Sequence, residues 1–397
     1  MKNLKVEGLT QPAILGGQPA FDQPVAITKP TIPSIEQLTR QYAKILESGM
    51  ITNAQYVREF ESNVAQYLGV RNAVAVNSCT GGLMLIMRIM GLKGEVILPS
   101  FTFHATAHAA VWNNLKPVFV DCDPETYCID VKQAEKAITK NTCAIIGVHI
   151  FGNPTDVKDL EALARKHKLK LFFDAAHGFG SQFQGKNLGG FGNAEVFSLS
   201  PTKLLTAGEG GIVATNDDEL AKQVRIGRNY GDAGDYDSIF SGFNARMSEF
   251  HAMLGIESLK DLEKNVARRN KIADLYKAEL ASLPGISFQK IKEGNRSSFK
   301  DLSILINEEE FGLSRDVLYK ALTAENISVK KYFYPPVHEQ KAFAQYLLFD
   351  TDRRLETTHR VAYNVLSLPL YSHIPEETVK RICSAIRKIY DFRNEIQ

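Results

Sequence analysis

The sequence lacks long apolar runs, cysteine pairs and a charge imbalance, and each absence argues against a class of protein. Its most apolar stretch, residues 73–92, is interrupted by Asn77 and Arg88 and falls short of the roughly 18 apolar residues that a membrane helix needs. The five cysteines have no Cys-x-x-Cys spacing, which argues against a disulfide framework or a zinc knuckle. Lys and Arg number 47 against 45 Asp and Glu, and this balance disfavours nucleic acid as the main partner.

What is present is an ordinary globular composition, with 44% hydrophobic and 23% charged residues in a chain of 397. That length allows two domains, or one large α/β unit with an appendage. Residues 1–10 show no basic start followed by an apolar core, so no secretory signal is recognised. We therefore expect a soluble, cytoplasmic protein with no membrane or nucleic-acid partner.

Short apolar runs alternate with stretches of helical spacing up to residue 245, as in a mostly parallel sheet covered by helices. The predicted strands are residues 73–76, 95–98, 116–120, 142–148, 170–174, 196–198 and 211–215. The predicted helices are residues 34–48, 56–67, 82–90, 104–112, 130–138, 156–167 and 217–228. We therefore predict an N-terminal segment and a large three-layer α/β domain over residues 1–245.

Beyond residue 245 the pattern changes, which predicts a smaller α+β domain over residues 246–397. A long charged helical pattern fills residues 247–280, and Pro284-Gly285 follows it. The elements predicted after it are strands at 301–306 and 328–332, an aromatic turn at 332–336, and helices at 314–325 and 376–393.

A carboxylate ends one predicted strand, in Lys170-Leu-Phe-Phe-Asp174-Ala-Ala-His177-Gly178. An unpaired charge at the end of a buried strand is costly, so we expect a cationic group beside Asp174. The alternative is that Asp174 caps a following helix.

Hydroxyl groups and a lysine follow the next predicted strand, in Val196-Phe-Ser198-Leu-Ser-Pro-Thr202-Lys203, and a glycine-rich stretch then leads to Gly211. This composition suits an anion held close to the backbone with an amine beside it, and a phosphate is the natural candidate. The alternative is an ordinary solvated turn.

A third segment, Asn77-Ser-Cys79-Thr80-Gly81-Gly82, joins a predicted strand to a predicted helix. Free N–H groups and the positive end of the helix dipole favour an anion there, although a simple capped helix explains the same residues. The segment lacks the spacing of a Walker loop, and the Gly-x-Gly-x-x-Gly fingerprint is also missing, which counts against ATP and NAD chemistry.

Together the three segments place an anion cradle, a carboxylate and a lysine at one edge of a sheet, where open α/β sheets bind ligands. Pyridoxal phosphate requires this combination. Its aldehyde forms a Schiff base with a lysine, its phosphate takes N–H and hydroxyl donors, and its ring nitrogen draws electrons only while protonated. A neighbouring carboxylate favours that protonated form by about 1–3 pKa units. Pyridoxal phosphate is therefore the predicted cofactor, with Asp174 beside its ring nitrogen.

The sequence also resembles the DegT/StrS-type sugar aminotransferases, pyridoxal-phosphate enzymes of the aspartate-aminotransferase fold, through nearly the whole chain. The motifs that carry the resemblance are Glu47-Ser-Gly-Met-Ile-Thr52-Asn53, Pro99-Ser-Phe-Thr-Phe103-His-Ala-Thr-Ala107, Pro117-Val-Phe-Val-Asp121-Cys-Asp-Pro124, Asp174-Ala-Ala176, Ser198-Leu-Ser-Pro-Thr-Lys203, Arg228-Asn229-Tyr-Gly231, Tyr334-Pro-Pro-Val-His338 and Leu366-Ser-Leu-Pro-Leu370. Their order and spacing make a chance agreement improbable.

The resemblance implies a role for each matching residue. Lys203 would carry the cofactor, Asp174 would meet its pyridine nitrogen, and Phe103 would place a ring against it. The phosphate would be held by Cys79, Thr80, Gly81 and Ser198. Asn229 would reach the phosphate of the neighbouring subunit in a homodimer with shared active sites. Plain core packing is the alternative for Phe103.

Two departures from the family pattern affect these roles. His177 stands where the family usually carries glutamine, so it either makes the same hydrogen bond, tunes proton transfer near neutral pH, or is structural. Pro201 in the segment before Lys203 removes a backbone donor and makes phosphate contacts there less certain. A branch of the family with histidine in place of the lysine dehydrates sugars, so Lys203 favours transamination. The predicted catalytic residues are Lys203, Asp174 and His177.

We interpret the chain as an aminotransferase that moves the amino group of L-glutamate to a nucleotide-linked keto-deoxysugar, a 4-keto-6-deoxyhexose. Lys331 and Tyr332 supply charge and a stacking ring suited to a diphosphate and a base, and His338 is the third predicted substrate-binding residue. One alternative is a ketocyclitol acceptor, suggested by the segment at residues 14–19. The other is a non-catalytic regulator that binds the cofactor or a sugar nucleotide.

A histidine pair, His104 and His108, has the spacing of metal ligands on one helix face. No Glu or Cys nearby completes a site. We therefore predict that the protein holds no metal.

Overall fold

The computed structural model describes residues 11–346 and 355–396 of the chain. The strands are β1 (Asn72–Val76), β2 (Glu95–Pro99), β3 (Lys116–Val120), β4 (Thr142–Val148), β5 (Lys170–Asp174), β6 (Gln182–Phe183), β7 (Lys186–Asn187), β8 (Ala194–Ser198), β9 (Gly211–Thr215), β10 (Ile286–Phe288), β11 (Leu302–Ile306) and β12 (Val365–Leu368). The helices are α1 (Ile35–Ser48), α2 (Gln55–Leu68), α3 (Cys79–Ile89), α4 (Ala105–Trp112), α5 (Val131–Lys136), α6 (Val157–His167), α7 (Asp218–Gly227), α8 (Glu249–Lys260), α9 (Leu262–Leu280), α10 (Glu308–Phe311), α11 (Arg315–Ala324), α12 (Glu356–Asn364) and α13 (Glu376–Asp391).

The central feature is a seven-stranded sheet in the order β1-β9-β8-β5-β4-β2-β3. Strand β9 runs antiparallel to both its neighbours, and the other neighbours are parallel. Alternate residues of each strand face opposite sides, so Phe172 packs under α3, α4 and α7 while Phe173 packs under α5 and α6. The predicted three-layer α/β architecture is confirmed.

Strand register brings the three segments of interest to one edge of this sheet. Gly211, the first residue of β9, pairs with both Val76 at the end of β1 and Ser198 at the end of β8. Asp174, at the end of β5, pairs with Val196 of β8. The expectation that these strand ends lie together is therefore met.

Helix α3 begins three residues earlier than the sequence analysis predicted, at Cys79 and not at Gly82. The reason is Ser78, whose hydroxyl accepts the Gly81 N–H at 3.0 Å and so caps the helix. Gly81 and Gly82 are poor helix formers that concealed this start in the sequence.

A second, antiparallel sheet of order β10-β11-β12 is covered by α9, α11 and α13. The predicted single helix over residues 247–280 is wrong, because Asp261 leaves helical geometry and separates α8 from α9. The predicted strand at 328–332 is also wrong, since pairing is limited to a bridge between Lys330 and Ser367. The chain then turns, and Pro335 and Pro336 have no N–H for a ladder.

The two sheets lie on either side of residue 245 in the chain, but packing crosses that residue. Met253 and Val266, on α8 and α9, join the core beneath the large sheet. In the N-terminal segment, the backbone amides of Ala13 and Ala20 donate to the buried Glu325 carboxylate at 2.9 and 2.6 Å. The predicted division into residues 1–245 and 246–397 therefore stays a prediction.

Two further observations concern membrane helices and disulfide bonds, both of which the sequence analysis argued against. Within residues 11–346 and 355–396, no helix has the length and apolar character needed to cross a bilayer. The five cysteines are free thiols, and four of them are buried.

Candidate active site

A cavity of about 320 Å³ opens at the shared edge of β1, β5 and β8. Both halves of the chain contribute to its wall, since residues 300, 301, 332 and 333 face residues of the large sheet. The residues predicted from the sequence that line it are Cys79, Thr80, Phe103, Asp174, His177, Ser198, Lys203 and Tyr332.

Asp174 is buried at the end of β5, and neutral groups hold its carboxylate. The Thr106 hydroxyl on α4 donates to Oδ2 at 2.7 Å, and the Ala176 N–H donates to Oδ1 at 3.1 Å. No ion pair of Asp174 occurs among the described residues, so none of them supplies the expected cationic partner. The carboxylate is therefore available to a cationic group of a ligand in the cavity.

Thr106 was not identified as a site residue from the sequence. It is fully buried, and its hydroxyl also lies 3.1 Å from that of Thr102. A hydroxyl residue within the alanine-rich helix that follows β2 was the available signal. Thr106 orients the Asp174 carboxylate.

Lys203 is positioned by a tight turn. Its backbone N–H donates to Ser200 O at 3.0 Å, which closes the four-residue turn Ser200-Pro201-Thr202-Lys203. Proline is favoured at the second position of such a turn because its φ is already fixed. Pro201, a departure from the family pattern, thus places the lysine at the cavity.

In the cavity the Lys203 ammonium loses its proton more readily than the ammonium of an exposed lysine. Burial and the nearby Lys300 ammonium lower the pKa of Lys203 from 10.5 to about 8. The negative charge of Asp301 opposes this shift. A substantial fraction of Lys203 is therefore a free amine near neutral pH, as a nucleophile or a base requires.

The end of the cavity that suits an anion lies at the start of α3. The first amides of a helix have no acceptor within it, and Cys79 and Thr80 line the cavity there. The Gly81 N–H is already used by the Ser78 cap, so the structure does not support the predicted phosphate contact of Gly81. A Cβ at Gly211 would lie 2.6 Å from the Cys79 nitrogen, so only glycine lets β9 pass this close.

Cys79 contributes its backbone N–H to this end of the cavity, and its thiol lies 3.9 Å from Asp174 Oδ1. The thiol donates to Val196 O at 3.3 Å. Burial, followed by the charge of Asp174, raises the thiol pKa well above its usual value. Cys79 therefore stays a neutral thiol. Ser198 adds a hydroxyl on the cavity wall, 3.5 Å from that of Ser200.

Aromatic and imidazole rings form the opposite wall. Phe103 is 49% exposed at the cavity, so the core-packing alternative for it is wrong. The Phe151 N–H donates to His177 Nδ1 at 3.1 Å, so the lone pair is on Nδ1 and the proton of the neutral ring is on Nε2. Burial and then the charge of Lys203 lower the pKa of His177 well below its usual range. His177 is thus a neutral hydrogen-bond donor, which disfavours titration of this ring near neutral pH.

Lys331 and His338 do not line the cavity among the described residues. Lys331 Nζ lies 2.7 Å from Asp316 Oδ1 and 4.6 Å from the centre of the Tyr319 ring, so its predicted contact with a diphosphate is not supported. His338 Nδ1 lies 2.5 Å from Ser100 Oγ. Besides Lys203, the lysine that lines the cavity among the described residues is Lys300, which the sequence analysis missed.

Asn229 also lies outside this cavity, where Arg246 donates to its Oδ1 at 2.6 Å. Its neighbour Arg228 is buried and donates to Glu61 Oε1 at 2.5 Å and to Ala75 O at 2.6 Å. The motif that contains both residues is therefore anchored to the large domain by Arg228.

Three potential metal ligands lie together away from the cavity. Ligand atoms of His338, Glu339 and His359 are all within 4.8 Å of one another, while the rings of His104 and His108 are 5.5 Å apart. Hydrogen bonds within the cluster account for its geometry, with His359 Nε2 2.8 Å from Glu339 Oε1. That the protein holds no metal stays a prediction.

Known proteins share both the sequence and the fold. Residues 34–387 match the profile of the DegT/DnrJ/EryC1/StrS aminotransferase family. The dTDP-4-amino-4,6-dideoxy-D-glucose transaminase of Shigella dysenteriae is 33% identical over 371 residues, which cover 93% of this chain and 100% of that protein. The UDP-N-acetyl-3-dehydro-alpha-D-glucosamine 3-aminotransferase of Acidithiobacillus ferrooxidans is 34% identical over 359 residues, which cover 90% of this chain and 94% of that protein.

Among solved structures, DesI, crystallised in the presence of its TDP-sugar product, superposes with a TM-score of 0.90 at 37% identity. The match covers 95% of this chain and 96% of that one. PseC of Helicobacter pylori, an aminotransferase of pseudoaminic acid biosynthesis, gives a TM-score of 0.86 at 26% identity. The match covers 93% of this chain and 100% of that one.

The cavity fits the cofactor of such enzymes. It offers a lysine with a lowered pKa, a buried carboxylate that has no ion-pair partner in the described part of the chain, and the free amides of a helix start. The chain therefore belongs to the DegT/DnrJ/EryC1/StrS aminotransferase family and is a pyridoxal-phosphate-dependent sugar aminotransferase.

Proposed function

We propose that the protein transfers the amino group of L-glutamate to the keto group of a nucleotide-linked 4-keto-6-deoxyhexose. The observation that carries the proposal is that Lys203, Asp174 and the start of α3 face one cavity. The Shigella relative is named for a 4-amino-4,6-dideoxyglucose linked to dTDP, which supports both the nucleotide and the position.

Pyridoxal phosphate supplies an aldehyde that takes up the amino group and a ring that withdraws electrons. In this proposal Lys203 binds that aldehyde and, once displaced, moves the proton at the substrate carbon. A pKa of about 8 suits a group that must both accept and return a proton. A positioned general acid and base contributes on the order of a hundred- to ten-thousand-fold to rate.

Asp174 keeps the ring nitrogen protonated in this scheme, and its own orientation depends on Thr106 at 2.7 Å. His177 donates from Nε2 to the cofactor ring or its hydroxyl, and Phe103 packs against the ring. The phosphate is held by the Cys79 and Thr80 amides and by the Ser198 hydroxyl. These contacts stay proposals, as does the catalytic part of His177.

We also propose a homodimer with shared active sites, in which the two subunits contact each other at the surface around Asn229. Apolar side chains are exposed on the segment that follows it, namely Tyr230 at 52%, Tyr236 at 100% and Ile239 at 55%. Exposed apolar area of this kind marks an interaction surface. Arg246 donates to Asn229 Oδ1 at 2.6 Å and so fixes the orientation of this side chain. The cytoplasmic location also stays a prediction.

The acceptor is tested by product analysis. The purified holoenzyme is incubated with glutamate and a panel of 3-keto and 4-keto nucleotide sugars and free ketocyclitols, and products are identified by mass spectrometry. We expect amination of a 4-keto-6-deoxyhexose nucleotide. Preference for a 3-keto sugar would agree with the Acidithiobacillus relative and move the position to C3. Preference for a free ketocyclitol would refute the nucleotide-sugar assignment.

A further inference from the structure

A buried ion pair forms part of the cavity wall; its charges shift the pKa of Lys203, but the pair takes no direct part in the chemistry described above. Lys300 Nζ lies 2.8 and 3.0 Å from the two carboxylate oxygens of Asp301, and each side chain is 6% exposed. The backbone here is fixed, because the Lys300 N–H donates to Phe151 O at 3.0 Å and Arg269 donates to Lys300 O at 3.0 Å.

Fold stability is a poor explanation for such a pair. Desolvation of two charges offsets most of their attraction, so a buried ion pair is weak evidence for a stabilising role. At a cavity wall, however, the donors and lone pairs that an ion pair leaves unused are available to a ligand. The Lys300 ammonium has three N–H donors, of which two are used on Asp301, and the carboxylate retains free lone pairs.

The pair is neutral overall, and that property selects the ligand. A carboxylate or phosphate approaching Lys300 would meet the negative charge of Asp301 at the same place. A hydroxyl group can accept from the ammonium or donate to the carboxylate, and two neighbouring hydroxyls can do both at once. The pair therefore suits a polyhydroxylated, uncharged group.

An aromatic surface lies directly beside the pair. Lys300 Nζ is 5.4 Å from the centre of the Tyr332 ring, and Tyr332 stacks on Phe333 at 5.3 Å with 29° between the rings. Both rings line the cavity. A pocket with an apolar face and a few placed polar groups is what orients a small ligand, and a sugar ring has matching C–H faces and edge hydroxyls.

We propose that Lys300, Asp301 and Tyr332 form the subsite that holds the hexose ring of the acceptor and selects the arrangement of its hydroxyls. The proposal rests on the proposed function, because it concerns the sugar that receives the amino group. The ammonium and carboxylate contact ring hydroxyls, and the Tyr332 ring packs on the sugar face.

The test combines enzyme and substrate changes in the holoenzyme. Wild type and Asp301→Asn are assayed with the accepted nucleotide sugar and with analogues that each lack one ring hydroxyl. For one analogue we expect wild type to lose about 10- to 100-fold in kcat/KM, as for a hydrogen bond to a charged group. Asp301→Asn should lose a similar factor on the parent sugar and little more on that analogue, because the same contact is missing.

The glutamate half-reaction and matched variants complete the test. Asp301→Asn also changes the charge beside Lys203, so it affects both half-reactions, and the subsite predicts a further loss in the acceptor half-reaction that the glutamate half-reaction does not show, since glutamate has no ring hydroxyl to contact. Lys331→Met, which removes the ammonium paired with Asp316 outside the cavity, should change neither half-reaction. Tyr332→Phe retains the ring and should retain acceptor turnover, whereas Tyr332→Leu should raise the KM of the acceptor alone.

Identical losses for wild type and Asp301→Asn on every analogue would overturn the subsite. So would equal damage to both half-reactions in Asp301→Asn and Tyr332→Leu, since both residues would then only support the fold. Failure of wild type to aminate any nucleotide sugar, with the glutamate half-reaction intact, would instead refute the proposed function itself.

Discussion

Lys203 in the cofactor-free protein should lose its proton far more readily than an ordinary lysine. Burial and the Lys300 ammonium lower its pKa from 10.5 to about 8, while the carboxylates of Asp301 and Asp174 act in the opposite direction. At pH 7 a pKa of about 8 leaves roughly a tenth of the amine free, about 300-fold more than a pKa of 10.5 would. Cofactor attachment at neutral pH depends on this fraction.

Variants that remove one charge should move the pKa of Lys203 in a direction that depends on the sign of the charge removed. Lys300→Met removes the repelling ammonium and should raise the pKa of Lys203. Asp301→Asn removes a favourable negative charge and should lower it. Lys331→Met removes a neighbouring positive charge that faces Asp316 and not the cavity, so the titration of Lys203 should be unchanged.

The assay is competitive labelling of the cofactor-free protein with an amine-selective reagent, followed by quantitative mass spectrometry of the Lys203 peptide. Measurements from about pH 6 to about pH 11 give the midpoint of labelling for each variant. A wild-type midpoint near that of an exposed lysine would refute the reasoning. Shifts of the same sign in Lys300→Met and Asp301→Asn would refute the assigned cause.

Three further outcomes test other parts of the account. Asp174→Asn should keep the cofactor attached, seen by its absorbance, but lower turnover by about 10- to 1,000-fold, because an amide no longer holds the ring nitrogen protonated; unchanged turnover would contradict this role. Mixing Asn229→Ala with Lys203→Ala should restore some activity if each site borrows Asn229 from its neighbour, and a fully active monomer would exclude shared sites. Arg228→Met should lower the free energy of unfolding in urea by about 3–5 kcal/mol, since it removes the close, buried ion-pair partner of the Glu61 carboxylate. The control Arg225→Met, whose side chain is 40% exposed at 3.7 Å from the same carboxylate, should change it by less than about 1 kcal/mol.

The large domain was predictable because its signal is local. Strands β3, β4, β5 and β9 coincide with the predicted ranges to the residue. Each is a short apolar run buried on both faces between amphipathic helices, so hydrophobicity alone defines its ends. The antiparallel orientation of β9 could not be read this way, because orientation depends on how the intervening chain returns to the sheet.

The smaller sheet was harder to predict because its strands have three to five residues. β12 follows α12 without a break, and a short apolar run at a helix end cannot be told from the helix by periodicity. Pairing of Lys330 with Ser367 at a single bridge likewise has no pattern in the sequence.

The candidate site also has one part that the sequence predicts and another part that it does not. Asp174, Lys203 and the start of α3 follow strand ends, so sheet topology brings them together wherever the strands are recognised. Thr106 and Lys300 enter through tertiary packing of α4 and of the segment before β11. The sequence also does not show that Lys331 pairs with Asp316 while Lys300 pairs with Asp301 at the cavity wall.

Identification of the lysine that carries the cofactor tests the central claim most directly. Borohydride reduction of the holoenzyme fixes the cofactor to that lysine, and peptide mass spectrometry then locates it. The account predicts a single pyridoxyl label on the Lys203 peptide. Lys300 lines the same cavity, so it is the internal comparison. A label on Lys300 or on any other lysine, or a protein that never takes up the cofactor, would contradict the account.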